Sequence, residues 1–207
     1  MYPDTLSKTS VEILGFLAAN PGKRFTIRQI SKAIQKDYKI TYDTMNKLSG
    51  RGLVSVEKQS NLTLCRLDPK RSMQFVSFIE SMRASQFLKT KPEIGTIVGA
   101  LLEKIRLPYF TLILYGSHVK GTATKRSDID MIFILPDRGF EKDIVNEVAS
   151  IERMAPLGIH EEAITHEQFI QMLREGVGRT NLAREALADH IIPYGAEALL
   201  KMLGETP

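Results

Sequence analysis

The stretch FTLILYGSHVKGTATKRSDIDMIFIL, residues 110–135, decides how the second half of this chain is interpreted. It contains two short apolar runs rich in strand-forming residues, 111–115 and 131–135. The first run is stopped by Gly116 and Ser117, and the second by Pro136. Runs of this length, bounded by glycine and proline, are typical of strands rather than helices. The stretch therefore predicts two strands joined by a turn and a short helix or loop.

Between the two runs lies a pattern of small and acidic residues, G-S-x3-G-x5-S-D-x-D. Asp128 and Asp130 are two residues apart on the predicted strand, so both carboxylates are expected on one face. Neighbouring carboxylates repel unless a cation joins them, and their oxygens suit Mg²⁺ carried with a nucleoside triphosphate. Gly116 allows a sharp turn close to a ligand. Backbone N–H groups at that turn, together with the Ser117 hydroxyl, are suited to hold phosphate oxygens.

The pattern resembles that of the nucleotidyltransferase superfamily with the polymerase-β-like fold, and in particular its minimal, MNT-like branch. The residues that carry the resemblance are Gly116, Ser117, Gly121, Ser127, Asp128 and Asp130. It implies an enzyme that transfers a nucleoside monophosphate from an NTP to an acceptor hydroxyl, with Mg²⁺ as cofactor. Asp128 and Asp130 would be catalytic and bind the metal. The implied nucleotide-binding residues are Gly116, Ser117, Lys120 and Ser127. Lys120 stands where relatives often have arginine, so it keeps the charge but loses the planar guanidinium.

The strand-like stretch IHEEAIT, residues 159–165, carries the candidates for a third acid. The resemblance implies an acid on the strand after the D-x-D strand, where it accepts the proton of the attacking hydroxyl or completes the metal sites. Relatives commonly follow this acid with two apolar residues and a helix-capping Ser or Thr, so Glu162 fits better than Glu161. If neither glutamate reaches the site, the domain would only bind nucleotide. Of the 4 histidines, His118 is the only one expected near the site.

The N-terminal third predicts a different kind of domain. Apolar residues recur at helical spacing in segments that begin near residues 9, 26 and 41. The sequence LVSVEKQSNLTLCRL, residues 53–67, then predicts a hairpin with a polar turn at 58–61. Helices followed by a hairpin in this order resemble a winged helix-turn-helix domain, which would occupy residues 1–70. In that family the third helix enters the major groove of DNA and the wing contacts the backbone.

Positive charge is concentrated in this N-terminal part. Residues 1–70 hold 12 Lys and Arg against 6 Asp and Glu, whereas the whole chain has a net charge of +4. Such an excess favours a polyanionic partner, and double-stranded DNA is the expected one. The predicted DNA-contacting residues are Tyr42, Thr44, Lys47, Arg51 and Lys58. Lysine and arginine would meet phosphates, and the others base edges. The alternative is a winged helix that binds a protein or dimerises.

Residues 71–92 are predicted to form a linking helix, followed by a nucleotidyltransferase-like domain at 93–207. The apolar residues of the linking helix are Met73, Phe75, Val76, Phe78, Ile79, Met82 and Phe87. They form more than one stripe, so more than one side of this helix must be buried. Packing between the domains and a homodimer would each bury the second stripe.

The C-terminal tail is predicted to form helices, with a break at 176–178. The expected fold class is therefore α+β, a winged helix plus a mixed β-sheet flanked by helices.

Composition excludes several other classes of protein. No window approaches the run of about 18 apolar residues that marks a membrane span. The first residues show no leader pattern, so a cytoplasmic protein without membrane contact is expected. The single Cys65 excludes an internal disulfide and a zinc cluster built on cysteines.

Two alternatives to an enzyme stay open at this point. The first is a transcriptional regulator whose C-terminal domain only senses a nucleotide. The second is the antitoxin-type half of a toxin–antitoxin pair, bound to a helical partner protein. The complete G-S…D-x-D pattern favours catalysis, whereas the basic N-terminal third favours DNA binding.

Overall fold

A computed structural model describes residues 6–20, 22–59, 62–175 and 181–205. The chain divides into two compact units, Met1–Ile79 and Glu80–Pro207. Each unit has its own sheet and its own hydrophobic core. None of the helices in the described ranges is long and apolar enough to cross a membrane.

The described part of the first unit contains helices and a small sheet in the order that the sequence predicts. The elements are α1 (Lys8–Ala18), β1 (Phe25–Thr26), α2 (Ile27–Ala33), α3 (Tyr38–Gly50), β2 (Val54–Gln59) and β3 (Leu62–Leu67). Strands β2 and β3 form the antiparallel hairpin, and β1 pairs with β3, which gives the order β1-β3-β2. Residues 60 and 61 of the predicted hairpin turn lie outside the described residues.

Capping side chains fix where these helices begin. Thr26 and Gln29 form a capping box at the start of α2. Asp37 accepts hydrogen bonds from backbone N–H groups at the start of α3, so this helix begins at Tyr38 rather than near residue 41.

The fully buried side chains of this unit include Ile13, Leu14, Leu17, Ile30, Met45 and Leu48. Burial raises the pKa of the Cys65 thiol to about 11, so Cys65 stays protonated and packs as a small apolar side chain.

Helix α4 (Pro69–Thr90) corresponds to most of the predicted linking segment, and the boundary between the two units falls inside it. In the first unit, Val76 and Ile79 are buried, whereas Phe78 is 65% exposed. In the second unit, Met82 is 50% exposed. Some of the apolar surface of this helix is therefore uncovered, and the homodimer stays a prediction.

The second unit is a mixed sheet with helices around it. Its elements are α5 (Pro92–Lys104), β4 (Thr111–Tyr115), α6 (Gly116–Lys120), β5 (Ile129–Leu135), α7 (Glu141–Glu152), β6 (Ile159–Thr165), α8 (His166–Arg174), α9 (Leu182–Ala188), β7 (Ile191–Tyr194) and α10 (Ala196–Glu205). The strand order is β6-β5-β4-β7, with β5 and β6 parallel and the other pairs antiparallel. The mixed α+β architecture predicted for this half is confirmed. The predicted helix break at 176–178 lies outside the described residues.

The two faces of this sheet bury different sets of side chains, and β5 contributes to both. Ile129, Met131 and Phe133 belong to the cluster that includes side chains of α5 and α7. Ile132 and Ile134 belong to the cluster that includes side chains of α8, α9 and α10. Because side chains alternate along a strand, Asp130 projects on the side of Ile132 and Ile134, at the end where that apolar face stops.

A buried polar cluster near the start of the second unit joins α4 to the residue before β7. The Arg83 guanidinium donates to Glu80 Oε1 at 2.6 Å and to the His190 carbonyl at 3.1 Å. Burial raises the pKa of the Glu80 carboxyl, against the lowering effect of Arg83. Burial, aided by the Arg83 charge, lowers the pKa of His190 to about 4. His190 is therefore neutral at pH 7, and Arg83 is the positive charge in contact with Glu80.

Candidate active site

The turn from β4 into α6 brings the first half of the motif against the second. Gly116 has a φ of 73°, which favours glycine, and it follows directly on Tyr115. Tyr115 is the register partner of Asp130 on the neighbouring strand β5. A Cβ at Gly116 would collide with the Asp130 carboxylate. Two independent features thus favour glycine at position 116. The backbone angle is unfavourable for other residues, and the Asp130 carboxylate occupies the space that a Cβ would need.

The other motif aspartate, Asp128, lies against a second glycine, Gly158. Asp128 precedes β5, which begins at Ile129, so the prediction that both aspartates lie on the strand is correct only for Asp130. Ile129 donates its N–H to the Gly158 carbonyl at 2.9 Å, at the start of the β5–β6 pairing. A Cβ at Gly158 would collide with the Asp128 carboxylate. Each acid therefore lies closely against the backbone of a neighbouring segment.

The parallel register of β5 and β6 separates the two candidates for the third acid. Glu162 is the partner of Ile132, and Glu161 is the partner of Met131. Paired residues of adjacent strands project on the same side of a sheet. Glu162 therefore shares the face of Asp130, whereas Glu161 lies on the opposite face. This placement favours the choice of Glu162 over Glu161.

A histidine that the sequence does not single out lies between two of these acids. His160 is the register partner of Asp130, and its Nδ1 is 3.2 Å from Asp130 Oδ1. Its Nε2 is 4.0 Å from Glu162 Oε1. The prediction that His118 is the only histidine near the site is therefore wrong. The sequence does show that His160 and Glu162 are two residues apart, which on a strand places them on the same face. It does not show that this face also carries Asp130, because that depends on the strand register.

His118 has a role in the motif loop instead. Its side chain is buried, and Nε2 is 2.9 Å from the carbonyl oxygen of Ser127. Because a carbonyl only accepts, Nε2 carries the proton in this contact. The Ser127 hydroxyl in turn accepts the N–H of Thr124 at 2.9 Å. These contacts stabilise the loop that leads into Asp128. Ser127 was predicted to contact the nucleotide, and here its carbonyl and hydroxyl groups both form hydrogen bonds to neighbouring residues of the motif.

Tyr115 lies beside several of the acidic side chains. Burial raises the pKa of the Tyr115 phenol to about 12, and the carboxylates of Asp130, Glu162 and Glu185 add to this effect. Glu185 also forms a long ion pair with Lys120, with Oε1 and Nζ 3.9 Å apart. The site therefore has an acidic centre, with Lys120 as a half-exposed cation at its side.

Similarity to known proteins agrees with this geometry. Residues 96–181 match the family model of the nucleotidyltransferase domain. The matched segment contains the β4–α6 turn, both motif aspartates, His160 and Glu162. No match was found among the curated proteins or among the solved structures. The match supports the nucleotidyltransferase superfamily for this segment, and with it a transferase that takes a nucleotide substrate. It does not extend to residues 1–70, so the winged helix stays a prediction.

Nucleotidyltransferase domains generally use divalent metal ions, and the oxygens of this site suit one. Asp128 and Asp130 offer carboxylate oxygens, the hard ligands that Mg²⁺ prefers. Within the described ranges, no group of three or more His, Cys, Asp and Glu side chains is arranged to hold a metal ion by itself. Mg²⁺ is commonly held by one or two carboxylates plus substrate phosphates. Asp128 and Asp130 would thus hold the ion together with the nucleotide.

In the first unit, most of the predicted DNA-contacting side chains are exposed. Tyr42, Lys47, Arg51 and Lys58 lie at the surface. Thr44 is different, because it is only 9% exposed and its hydroxyl donates to the Ile40 carbonyl at 2.7 Å. Thr44 is therefore not exposed on α3 as a DNA-contacting residue would be.

The contact between Gly116 and Asp130 leads to a prediction. Gly116→Ala is expected to destabilise the second unit by about 1–3 kcal/mol beyond the backbone strain, because the new methyl group displaces the Asp130 carboxylate. Gly121→Ala is the matched control, since Gly121 has a φ of 75° and open space around its Cβ position. It should show only the strain of a left-handed alanine, about 1–2 kcal/mol. Chemical denaturation of both variants measures the difference, and equal losses would contradict the proposed contact.

Proposed function

We propose that the second unit transfers a nucleoside monophosphate from an NTP to an acceptor hydroxyl. The observation that carries this proposal is the arrangement of three acids within the segment that matches the nucleotidyltransferase domain. Asp128 and Asp130 lie against Gly158 and Gly116, and the β5–β6 register adds Glu162 on the face of Asp130. The oxygens proposed to bind the metal and the candidate base would thus lie at one end of these strands.

Each group has a distinct task in the proposed reaction. Mg²⁺, held by Asp128 and Asp130, would neutralise the triphosphate and the charge that develops on the leaving group. The turn at Gly116 and Ser117 would hold phosphate oxygens through backbone N–H groups and a hydroxyl. Lys120 would contribute positive charge beside the triphosphate. The loop at Ser127 would contact the nucleotide.

The bond changes follow from this arrangement. Glu162 would accept the proton of the acceptor hydroxyl while the hydroxyl oxygen forms a bond to the α-phosphorus. The bond from the α-phosphorus to the bridging oxygen breaks, and pyrophosphate leaves with that electron pair.

A transfer assay with NTPs labelled at the α-phosphate tests this function. The purified chain is incubated with each NTP, with and without Mg²⁺, and with RNA, protein and small-molecule acceptor pools. Label on an acceptor together with released pyrophosphate supports the transferase. Mg²⁺-dependent binding of NTP without transfer to any acceptor would favour the regulator alternative, in which the domain only senses a nucleotide.

We further propose that the first unit is a winged helix that binds double-stranded DNA. Two observations favour this, namely the positive charge of residues 1–70 and the exposed basic side chains of α3 and the hairpin. Lys47 and Lys58 are exposed. Arg51 also packs its guanidinium over the Phe75 ring, 5.4 Å from the centroid. Replacing Arg51 would therefore disturb packing as well as charge, and the lysines give the cleaner test.

The paired substitution of Lys47 and Lys58 by Ala is expected to weaken DNA binding without unfolding the unit. Each lost phosphate contact should lower the slope of log affinity against log salt by about 1, so the pair should lower it by about 2. Lys8 and Lys70, both exposed, provide a control pair that removes the same charge elsewhere in the unit. Fluorescence anisotropy on a labelled duplex at several salt concentrations gives the slopes. No binding by the unmodified chain at low salt would refute the DNA proposal.

A further inference from the structure

We infer that His160 is a positioning residue that orients the Asp130 carboxylate and thereby sets the affinity of the site for a metal–nucleotide complex. The inference rests on the proposed function, because it assumes that Asp130 is a metal ligand. It assigns a role to a side chain outside the motif pattern. The contacts that carry it are those of His160 with Asp130 and Glu162.

The backbone places the imidazole beside the carboxylate. Strands β5 and β6 are parallel neighbours, and Asp130 and His160 are aligned across them. Aligned side chains of adjacent strands leave the sheet on the same side. His160 Nδ1 is consequently 3.2 Å from Asp130 Oδ1. Because a carboxylate accepts, Nδ1 is the donor in this hydrogen bond.

The two oxygens of Asp130 therefore have different surroundings. Oδ1 faces the Nδ1–H donor of His160, whereas Oδ2 lies against Gly116 at the start of α6. With one oxygen held, the carboxylate has a defined orientation, and its other oxygen is directed towards the turn proposed to hold the triphosphate. Partners that hydrogen-bond to metal ligands commonly tune metal affinity by about 10–100-fold.

Exposure distinguishes this role from a structural one. The His160 side chain is 59% exposed and that of Asp130 is 27% exposed. A hydrogen bond at such a surface contributes little to folding stability, because water replaces it readily. Its loss should therefore change metal binding while leaving the unfolding transition nearly unchanged.

Three substitutions at one position test the hydrogen bond itself. His160→Asn keeps an N–H donor close to the position of Nδ1, His160→Gln keeps one close to Nε2, and His160→Ala keeps neither. Binding of Mn²⁺ with a non-hydrolysable NTP is measured by electron paramagnetic resonance and calorimetry on the full chain. We expect about tenfold weaker binding or more for Ala and Gln, and a change below about threefold for Asn. His166→Ala, which removes a histidine on α8, is expected to bind like the unmodified chain.

Each outcome separates this inference from the proposed function. If Asp130→Asn loses binding but His160→Ala does not, His160 has no positioning role and the proposed site stands. Equal losses for Asn, Gln and Ala would show that the donor at Nδ1 is not what matters, which also overturns the inference. If neither Asp128→Asn nor Asp130→Asn affects binding, or if the unmodified chain binds no Mn²⁺ with nucleotide, the proposed site itself is wrong. Thermal unfolding of every variant shows that the fold is retained.

Discussion

Asp128→Asn is expected to lower Mg²⁺-dependent NTP binding, and transfer with it, by about a hundredfold or more. A side chain that only supports a metal ligand contributes about 10–100-fold to metal affinity, and a charged ligand should contribute at least as much. Asparagine keeps the shape of Asp128 and its place against Gly158, so the change removes charge rather than volume. Without that charge the site attracts the cation less, and the remaining acids repel the triphosphate.

The same substitution should leave the fold intact. Asp128 is exposed and stands two residues from Asp130 in the sequence, so removal of its charge is expected to relieve repulsion in the metal-free protein. The free energy of unfolding should change by no more than about 0.5 kcal/mol, as for most surface substitutions. Asp143→Asn, an exposed residue on α7, is the matched control for loss of one negative charge. Calorimetry with and without Mg²⁺ measures binding, and equal NTP affinity of Asp128→Asn and the unmodified chain would show that the site lies elsewhere.

Much of the second unit could be predicted because its signals are local. The runs at 111–115 and 131–135 are apolar, short and bounded by glycine or proline, and β4 and β5 lie where these runs predict. The capping box of Thr165 and Gln168 begins α8 directly after β6. The motif residues were recognisable because their spacing is fixed within a single turn and strand. Such features need no knowledge of which strands are neighbours.

The prediction failed at Thr44 because the buried face of α3 includes threonines as well as its apolar residues. Thr41, Thr44, Met45 and Leu48 are all buried, and their spacing is that of one helical face. The hydroxyls of Thr41 and Thr44 donate to the carbonyls of Asp37 and Ile40, so these threonines can be buried without an unpaired polar group. Their spacing to Met45 and Leu48 was the available signal.

The contacts of Gly158 and His160 could not be predicted because they depend on strand register. Gly158 comes directly before β6, the second strand of a parallel pair, and His160 lies on it. About 30 residues separate them in sequence from the aspartates that they contact. A shift of the register by one residue would move His160 to the other face and bring Glu161 beside Asp130. Helix α7 connects the two strands and packs in the same hydrophobic cluster as β5, and this packing cannot be read from the motif.

Glu162→Gln is expected to spare nucleotide binding and to lower the rate of transfer by about 10²–10⁴-fold, the usual contribution of a general base. Glutamine preserves the shape of the side chain and its place on β6 but cannot accept the proton of the attacking hydroxyl. Glu161→Gln is a matched control, because Glu161 is the neighbouring residue of the same type and its register partner Met131 lies on the opposite face. Single-turnover transfer and calorimetry separate the chemical step from binding. If Glu161→Gln were the slow variant and Glu162→Gln the normal one, the β5–β6 register would not be the feature that selects the third acid.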